Sequence, residues 1–200
     1  MTHHHAGAAG ADGIAFIVMW AVMMIAMMLP VVATRLLRHG REAGVAAAAL
    51  FALAYFGVWI AVGLLVPPLQ HGFGQASARL PGLAGAVPWL TGLAIVLAGA
   101  VQLTPWKQRA LACCRAADPL DLPPWRAGLR LGLRCVKCCA NLTGVLLVLG
   151  MMELPAMVAV TALIALERLA PGGRGWARAS GAGLVLFGLS LPASARLLAG

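Results

Sequence analysis

Long runs of apolar residues are the feature that most limits how this chain can fold. The first run extends over residues 14–33 and contains no charged side chain. At 1.5 Å per residue, a helix of about 20 residues measures roughly 30 Å, the thickness of a bilayer core. In hydrocarbon a helix satisfies its own backbone hydrogen bonds, whereas an open strand leaves them unpaired. We therefore predict an all-α integral membrane protein.

The composition of the chain agrees with this prediction. Hydrophobic residues make up 62% of the chain and charged residues 10%, whereas soluble domains are about half apolar and roughly a quarter charged. We predict a bundle of about six transmembrane helices that forms one domain over residues 1–200. The predicted spans are residues 14–33, 45–66, 89–103, 131–150, 154–169 and 181–198. The polar stretch 104–127 between the third and fourth spans is predicted to be a loop.

The distribution of positive charge predicts the orientation of these helices. The 15 Lys and Arg residues contribute to a formal net charge of +9, but they lie in short segments between apolar runs. This pattern predicts a lipid bilayer as partner and no nucleic acid. With the N-terminus outside, all of these basic residues except Arg79 and Arg196 lie on the inner side, as the positive-inside rule requires.

Five methionines lie in the first predicted span. Met19, Met23 and Met27 are four residues apart and stack along one helix face, and Met24 with Met28 forms an adjacent row. Thioether sulfur is a soft metal ligand, and all of these residues except Met19 are predicted to bind metal. Methionine is also flexible and apolar, so packing in a membrane core is the alternative role.

Three cysteines lie near the start of the fourth predicted span. Cys135 shares a helix face with Cys138 and Cys139, at i+3 and i+4. The neighbouring Arg134 and Lys137 are expected to favour thiolate, the form that binds metal. These three thiols are therefore predicted metal ligands. The alternative is that such small side chains only permit close helix packing.

Further candidate ligands lie at the ends of the predicted spans. Met151, Met152 and Glu153 fall at the outer ends of the fourth and fifth spans, whereas Cys114 lies on the inner side with the other cysteines. Thiolate and thioether ligands select Cu(I) over hard cations. We therefore predict a ladder of soft ligands that binds Cu(I). Zinc is less favoured, because its usual sites combine Cys with His and no His lies within a predicted span.

Other polar residues near the predicted spans are expected to have structural roles. Glu167 is expected to pair with its neighbour Arg168 at the cytoplasmic rim of the membrane. Asn141 and Thr143 are expected to form hydrogen bonds between helices.

Several segments occur in the order found in a known family. They are the run 20–30, the run 102–107 followed by Cys114 and Arg115, the run 132–135 with Cys138 and Cys139, the run 150–152 and the run 167–172. Over residues 19–188 they resemble the bacterial predicted metal-binding integral membrane proteins, a family of unknown function. The resemblance implies a multi-pass protein of the bacterial inner membrane with a metal site. Glu153 stands where an amide is expected, and Lys137 where a small residue is usual.

These observations favour a non-enzymatic membrane protein that binds Cu(I) and transfers or transports it, together with a metal-delivery or membrane partner protein. The sequence contains no nucleotide-binding motif, so no nucleotide cofactor is expected. Two alternatives stay open. Cys135 and Cys138 form the C-x-x-C of a thiol–disulfide redox carrier, and Gly-rich helix faces suit a scaffold without chemistry.

Overall fold

Helices make up the secondary structure of the protein. The computed structural model describes residues 3–116, 122–149 and 153–199, and these ranges contain no strand. The helices are α1 (His3–Arg79), α2 (Pro81–Leu103), α3 (Pro105–Arg115), α4 (Pro124–Leu149), α5 (Leu154–Leu169) and α6 (Gly173–Ala199). The prediction of an all-α fold is therefore confirmed for the described part of the chain.

Two of these helices are long and apolar enough to cross a bilayer. They are α1 over Gly13–Arg79 and α4 over its full length. A third crossing is added if the end of α2 and the whole of α3, which meet at a bend of 66°, form one broken span. Length and composition alone do not establish insertion, so the six predicted spans stay predictions.

The contacts within the chain divide it into two compact units. The first unit comprises residues 1–76 and 119–133, and the second comprises residues 77–118 and 134–200. Helix α1 and the first turns of α4 therefore belong to the first unit. Helices α2, α3, α5 and α6, the remainder of α4 and the last three residues of α1 belong to the second.

In the first unit, α1 is interrupted at Gly44. The backbone there has φ 86° and ψ 170°, in a region that glycine adopts without a steric penalty. The helical segments on either side lie against each other, since Trp20 Nε1 donates to the Trp59 carbonyl oxygen at 2.8 Å. Gly63 makes room for this contact, because a β-carbon there would overlap the Trp20 ring. The interruption separates the predicted spans 14–33 and 45–66.

The start of α4 packs closely on α1 in the same unit. A β-carbon at Gly128 would overlap the carbonyl oxygen of Phe51. One at Gly132 would lie 2.9 Å from Val58 Cγ2 and 3.1 Å from the Tyr55 carbonyl oxygen. Two glycines four residues apart let helix backbones approach in this way.

In the second unit, glycines bring α2 and α6 together. A β-carbon at Gly99 would lie 2.7 Å from the Gly181 carbonyl oxygen, and one at Gly188 would lie 2.7 Å from that of Gly92. Direct backbone contact of this kind is typical of helices that associate through small residues. This backbone contact holds together α2 and α6, the two long helices beside the site described below.

A hydrogen bond between α4 and α2 was expected from the sequence and is present. Asn141 Nδ2 donates to the Ala98 carbonyl oxygen at 3.3 Å, so the prediction for Asn141 is confirmed. Thr143 Oγ1 is buried and has no hydrogen-bond partner among the described residues. The same expectation is therefore wrong for Thr143.

Helix α3 occupies part of the stretch that was predicted to be a loop. Thr104 caps its first turn, where its Oγ1 accepts a hydrogen bond from the Lys107 backbone amide at 3.3 Å, and Pro105 is the first helical residue. Both residue types are favoured at these positions. The buried side chains of α3 are Lys107, Gln108, Leu111 and Cys114. Polar composition suggested a loop, whereas the arrangement is that of an amphipathic helix.

Candidate metal centre

Three of the predicted thiol ligands meet on the buried face of α4. Cys135, Cys138 and Cys139 are all buried. They share one face of α4, because residues three and four apart lie on the same side of a helix. The Sγ atoms of Cys135 and Cys139 are 4.0 Å apart. The helical repeat alone is enough to bring these side chains together.

Cys114 of α3 joins the same group. Its thiol lies within hydrogen-bonding reach of the thiols of Cys135 and Cys138, and Cys138 is within the same reach of Cys139. We call these four residues the thiol cluster; all of them lie in the second unit. The fifth cysteine, Cys113, is exposed.

The spacing of two thiols in the cluster suits a soft metal ion. With metal–sulfur bonds of about 2.3 Å, two sulfurs 4.0 Å apart subtend an angle of about 120° at the metal, as in a trigonal site. In the part of the chain that the structure describes, no group of three or more His, Cys, Asp or Glu side chains is arranged to hold a metal ion. A third thiol would therefore need to change its rotamer.

Two buried cations contact the thiol cluster. Arg168 of α5 donates from Nη1 to Cys135 Sγ at 2.9 Å. Lys107 of α3 donates from Nζ to the Cys138 carbonyl oxygen at 2.5 Å and forms an ion pair with Glu167 Oε2 at 2.9 Å. Each of these cations lies more than 30 positions in sequence from the cysteine of α4 that it contacts.

Arg134 and Lys137, which the sequence predicted to favour thiolate, differ in their exposure. Lys137 is exposed on α4, and Arg134 is half-buried. On a helix, residues adjacent to a buried cysteine point toward other faces. The exposed Lys137 therefore lies on a different face of α4 from the buried thiols.

Glu167 is the centre of a buried polar network beside the thiol cluster. Its Oε1 atom accepts hydrogen bonds from Gln102 Nε2 at 2.5 Å and Ser180 Oγ at 3.0 Å, while Oε2 pairs with Lys107. Glu167 was expected to pair with Arg168 at the membrane rim; its side chain is buried, and its carboxylate forms an ion pair with Lys107. Helices α2, α3 and α6 supply partners that satisfy the buried carboxylate.

Arg115, at the end of α3, fixes the turn that carries Glu167 and Arg168. It donates from Nη1 to the Glu167 carbonyl oxygen at 3.2 Å and from Nη2 to that of Ala170 at 3.0 Å. These carbonyls belong to the C-terminal end of α5, where no intrahelical partner is available. Gly173 permits the approach, because a β-carbon there would overlap Arg115 Nη1.

Comparison with known families assigns the chain. Residues 17–191 match the profile of the family described as PpoB2: Copper chaperone. The chain belongs to this family. Membership supports copper handling and agrees with the metal-binding family that the sequence resembles. No match is found among curated proteins or among solved structures.

The predicted methionine ligands of this PpoB2-family chain are also buried. Met23, Met24, Met27 and Met28 all face the protein interior, and Met19 is half-buried. They belong to the first unit, whereas the thiol cluster belongs to the second. We call the four buried methionines the methionine row.

Of the remaining predicted ligands at the ends of the spans, the structure describes Glu153. Met151 and Met152 lie outside the described residues. Glu153 is exposed and occupies the N-cap position of α5 without a side-chain capping bond. Among the described residues of this PpoB2-family protein, the structure therefore shows no second metal-binding side chain beside Glu153.

The contacts of Lys107, Gln102 and Ser180 at the site were not predicted from the sequence. A signal was available for Lys107. Thr104 followed by Pro105 is a helix-start pattern, and from that start Lys107, Leu111 and Cys114 share one face at i, i+4 and i+7. The contacts of Gln102 and Ser180 depend on tertiary packing, and no local pattern indicates them.

Proposed function

We propose that this copper-chaperone family member binds Cu(I) through the thiol cluster and hands it to a partner protein from within a membrane. The observation that carries the proposal is the contact of four buried thiols from α3 and α4. Thiolates are the side chains that most strongly favour Cu(I) over hard ions such as Mg²⁺ or Ca²⁺. The copper ion is cargo in this proposal and leaves the protein after each delivery.

The cluster offers more thiols than one Cu(I) ion needs. Two sulfurs at the Cys135–Cys139 spacing hold the ion, and Cys114 and Cys138 lie within reach to replace one of them. An incoming thiol of a partner protein can exchange in the same stepwise way. Transfer by ligand exchange avoids release of a free copper ion, which is the chemical requirement of a chaperone.

The methionine row is proposed as a second, weaker set of copper ligands. Its four thioethers are buried on one face of α1, and neutral thioether sulfur is a soft ligand that favours Cu(I). Replacement of all four by leucine conserves volume and keeps packing intact. We expect this variant to take up copper more slowly, while the amount held by the thiol cluster stays unchanged.

A membrane location is supported by apolar side chains on the outside of the protein. Leu53, Leu65, Leu186 and Leu189 are each more than half exposed. Water disfavours an extensive apolar surface, and lipid accommodates it. We propose a multi-pass protein of the bacterial inner membrane with its N-terminus outside.

Copper content tests the proposed function. Protein purified in detergent under reducing conditions is loaded with Cu(I), passed through a desalting column and analysed by mass spectrometry. We expect about one tightly held Cu(I) per chain, lost when Cys135, Cys138 and Cys139 are all changed to serine. Cys113→Ser is the matched control, because Cys113 is an exposed neighbour of Cys114. Equal copper in the parent and the triple variant contradicts the proposal.

A thiol–disulfide redox carrier is the second candidate. Its support is that Cys114 and Cys138 lie in contact on different helices, so a disulfide between them would link α3 to α4. This function predicts a mixed disulfide with a partner that is trapped when one of the two cysteines is replaced by serine. Copper binding without such an intermediate argues for the chaperone.

A further inference from the structure

The geometry points to Arg168 as a positioning residue that makes the thiol cluster able to hold Cu(I) as an anionic thiolate complex. This inference rests on the proposed function and adds a residue that is not itself a ligand. Arg168 is buried at the end of α5 and donates from Nη1 to Cys135 Sγ at 2.9 Å. It is also close enough to interact electrostatically with Cys114 and Cys138.

The charge of the copper complex explains why such a residue is needed. Cu(I) bound by two thiolates carries a net charge of −1, and a third thiolate makes it −2. A buried anion is costly unless a cation or hydrogen-bond donors accompany it. A guanidinium keeps its charge under all physiological conditions and presents its N–H groups in a fixed plane.

Lys107 is less suited to this task, although it is also buried against the cluster. Its ammonium forms an ion pair with Glu167 Oε2 at 2.9 Å, which offsets its positive charge. Its charge also acts on the Cys138 thiol, but its hydrogen bond to the cluster is made to the Cys138 backbone carbonyl, whereas Arg168 donates directly to a sulfur. We therefore assign Lys107 to holding α4 in place and Arg168 to balancing the charge on the sulfurs.

The position of Arg168 is maintained by the contacts of its own helix turn. Arg115 binds the carbonyl oxygens of Glu167 and Ala170, and the Glu167 side chain is held by α2, α3 and α6. The guanidinium is thus presented to Cys135 by a turn with little freedom to move. This preorganisation favours the charge-assisted N–H···S bond.

The test compares Cu(I) affinities of the full-length protein in detergent, by competition with a chromophoric Cu(I) chelator. We expect Arg168→Met to weaken Cu(I) binding by about tenfold or more. Arg168→Lys keeps the charge and should recover part of that loss. Arg174→Gln, which removes an exposed arginine of α6, should bind as the parent does. Elution volume and circular dichroism verify that each variant is folded.

A double-mutant cycle separates this role from simple stabilisation of the fold. If Arg168 acts through the sulfur of Cys135, Arg168→Met should have a much smaller effect on affinity in a Cys135→Ser background. Equal effects in the two backgrounds, or parental affinity of both Arg168 variants, would overturn the inference and leave the proposed function standing. Absence of Cu(I) binding in the parent protein would overturn both.

Discussion

At the scale of single residues, the site depends on the hydrogen bonds and the ion pair of the buried Glu167 carboxylate. Glu167 accepts from Gln102 and Ser180 and pairs with Lys107. A buried ion pair contributes little net stability, yet removal of one partner leaves an uncompensated charge. The pair therefore makes the packing of α3 against α5 sensitive to small chemical changes.

Replacement of Lys107 should expose this dependence. Lys107→Met leaves Glu167 buried without its cation, and we expect the protein to lose about 3–5 kcal/mol of stability. Adding Glu167→Gln should recover part of the loss, because the amide carries no charge. Thermal unfolding in detergent gives the measurement, with the exposed Lys137→Met as control. If Lys107→Met unfolds at the parental temperature, the ion pair has no structural role.

Some of these residues could be predicted from the sequence, and others could not. The convergence of Cys135, Cys138 and Cys139 follows from helical spacing, so local sequence is sufficient. Lys107 and Glu167 are separated by about sixty positions, and only the packing of α3 on α5 makes them partners. The adjacent charge of Arg168 suggested a partner for Glu167, but nothing in the local sequence indicates the ion pair with Lys107.

At the scale of helices, close packing at glycine positions determines how α4 begins. The backbones of α4 and α1 approach at Gly128, where a β-carbon would overlap the Phe51 carbonyl oxygen. The obstacle is backbone, which cannot rotate away as a side chain can. A larger residue must therefore separate the two helices.

We expect Gly128→Val to destabilise the protein by about 1–3 kcal/mol. Gly144→Ala is the matched control in the same helix, because a β-carbon there has no neighbour within 4 Å. Alanine has the higher helix propensity, so this control should be neutral or slightly stabilising. Unfolding midpoints in detergent distinguish the two variants, and equal midpoints would contradict the close approach of α4 to α1.

The break in α1 gives a second prediction at this scale. Gly44 has a φ of 86° and a ψ of 170°, a backbone conformation that is essentially restricted to glycine and costs another residue about 1–3 kcal/mol. Gly44→Ala should therefore lower the unfolding temperature, whereas Gly57→Ala, in open space on the same helix, should not. A parental melting temperature for Gly44→Ala would mean that α1 does not turn at this position.

Helix α3 shows why composition was a poor guide to secondary structure. Its stretch is the most polar in the chain, so a loop was predicted between the spans. Its cap, its first-turn proline and its buried face are nevertheless those of a helix, and that face carries both Lys107 and Cys114. A helix that buries charged groups beside a site has no apolar run to reveal it.

At the scale of the whole molecule, the proposed function joins copper handling to a membrane location. The family assignment covers residues 17–191, whereas the orientation rests on the distribution of Lys and Arg. We expect a reporter fused to the N-terminus to be active only outside the cytoplasm, and one fused within the 104–127 segment only inside it. The opposite pattern of reporter activity would contradict the proposed topology.

The composition of the chain was sufficient to predict helices and apolar surfaces across the molecule. The division into two compact units was not predicted, because it depends on contacts between residues far apart in sequence. For the same reason, the predicted ladder of methionines and cysteines has its parts in different units, with the methionine row in the first and the thiol cluster in the second.

X-ray absorption at the copper K edge is the measurement that tests the central claim most directly. It is made on the copper-loaded protein in detergent, beside the variant with Cys135, Cys138 and Cys139 changed to serine. We predict the edge of Cu(I) with two or three sulfur neighbours at about 2.3 Å, and loss of these neighbours in the variant. A first shell of nitrogen or oxygen, or an unchanged sulfur shell in the variant, would contradict copper binding by the thiol cluster.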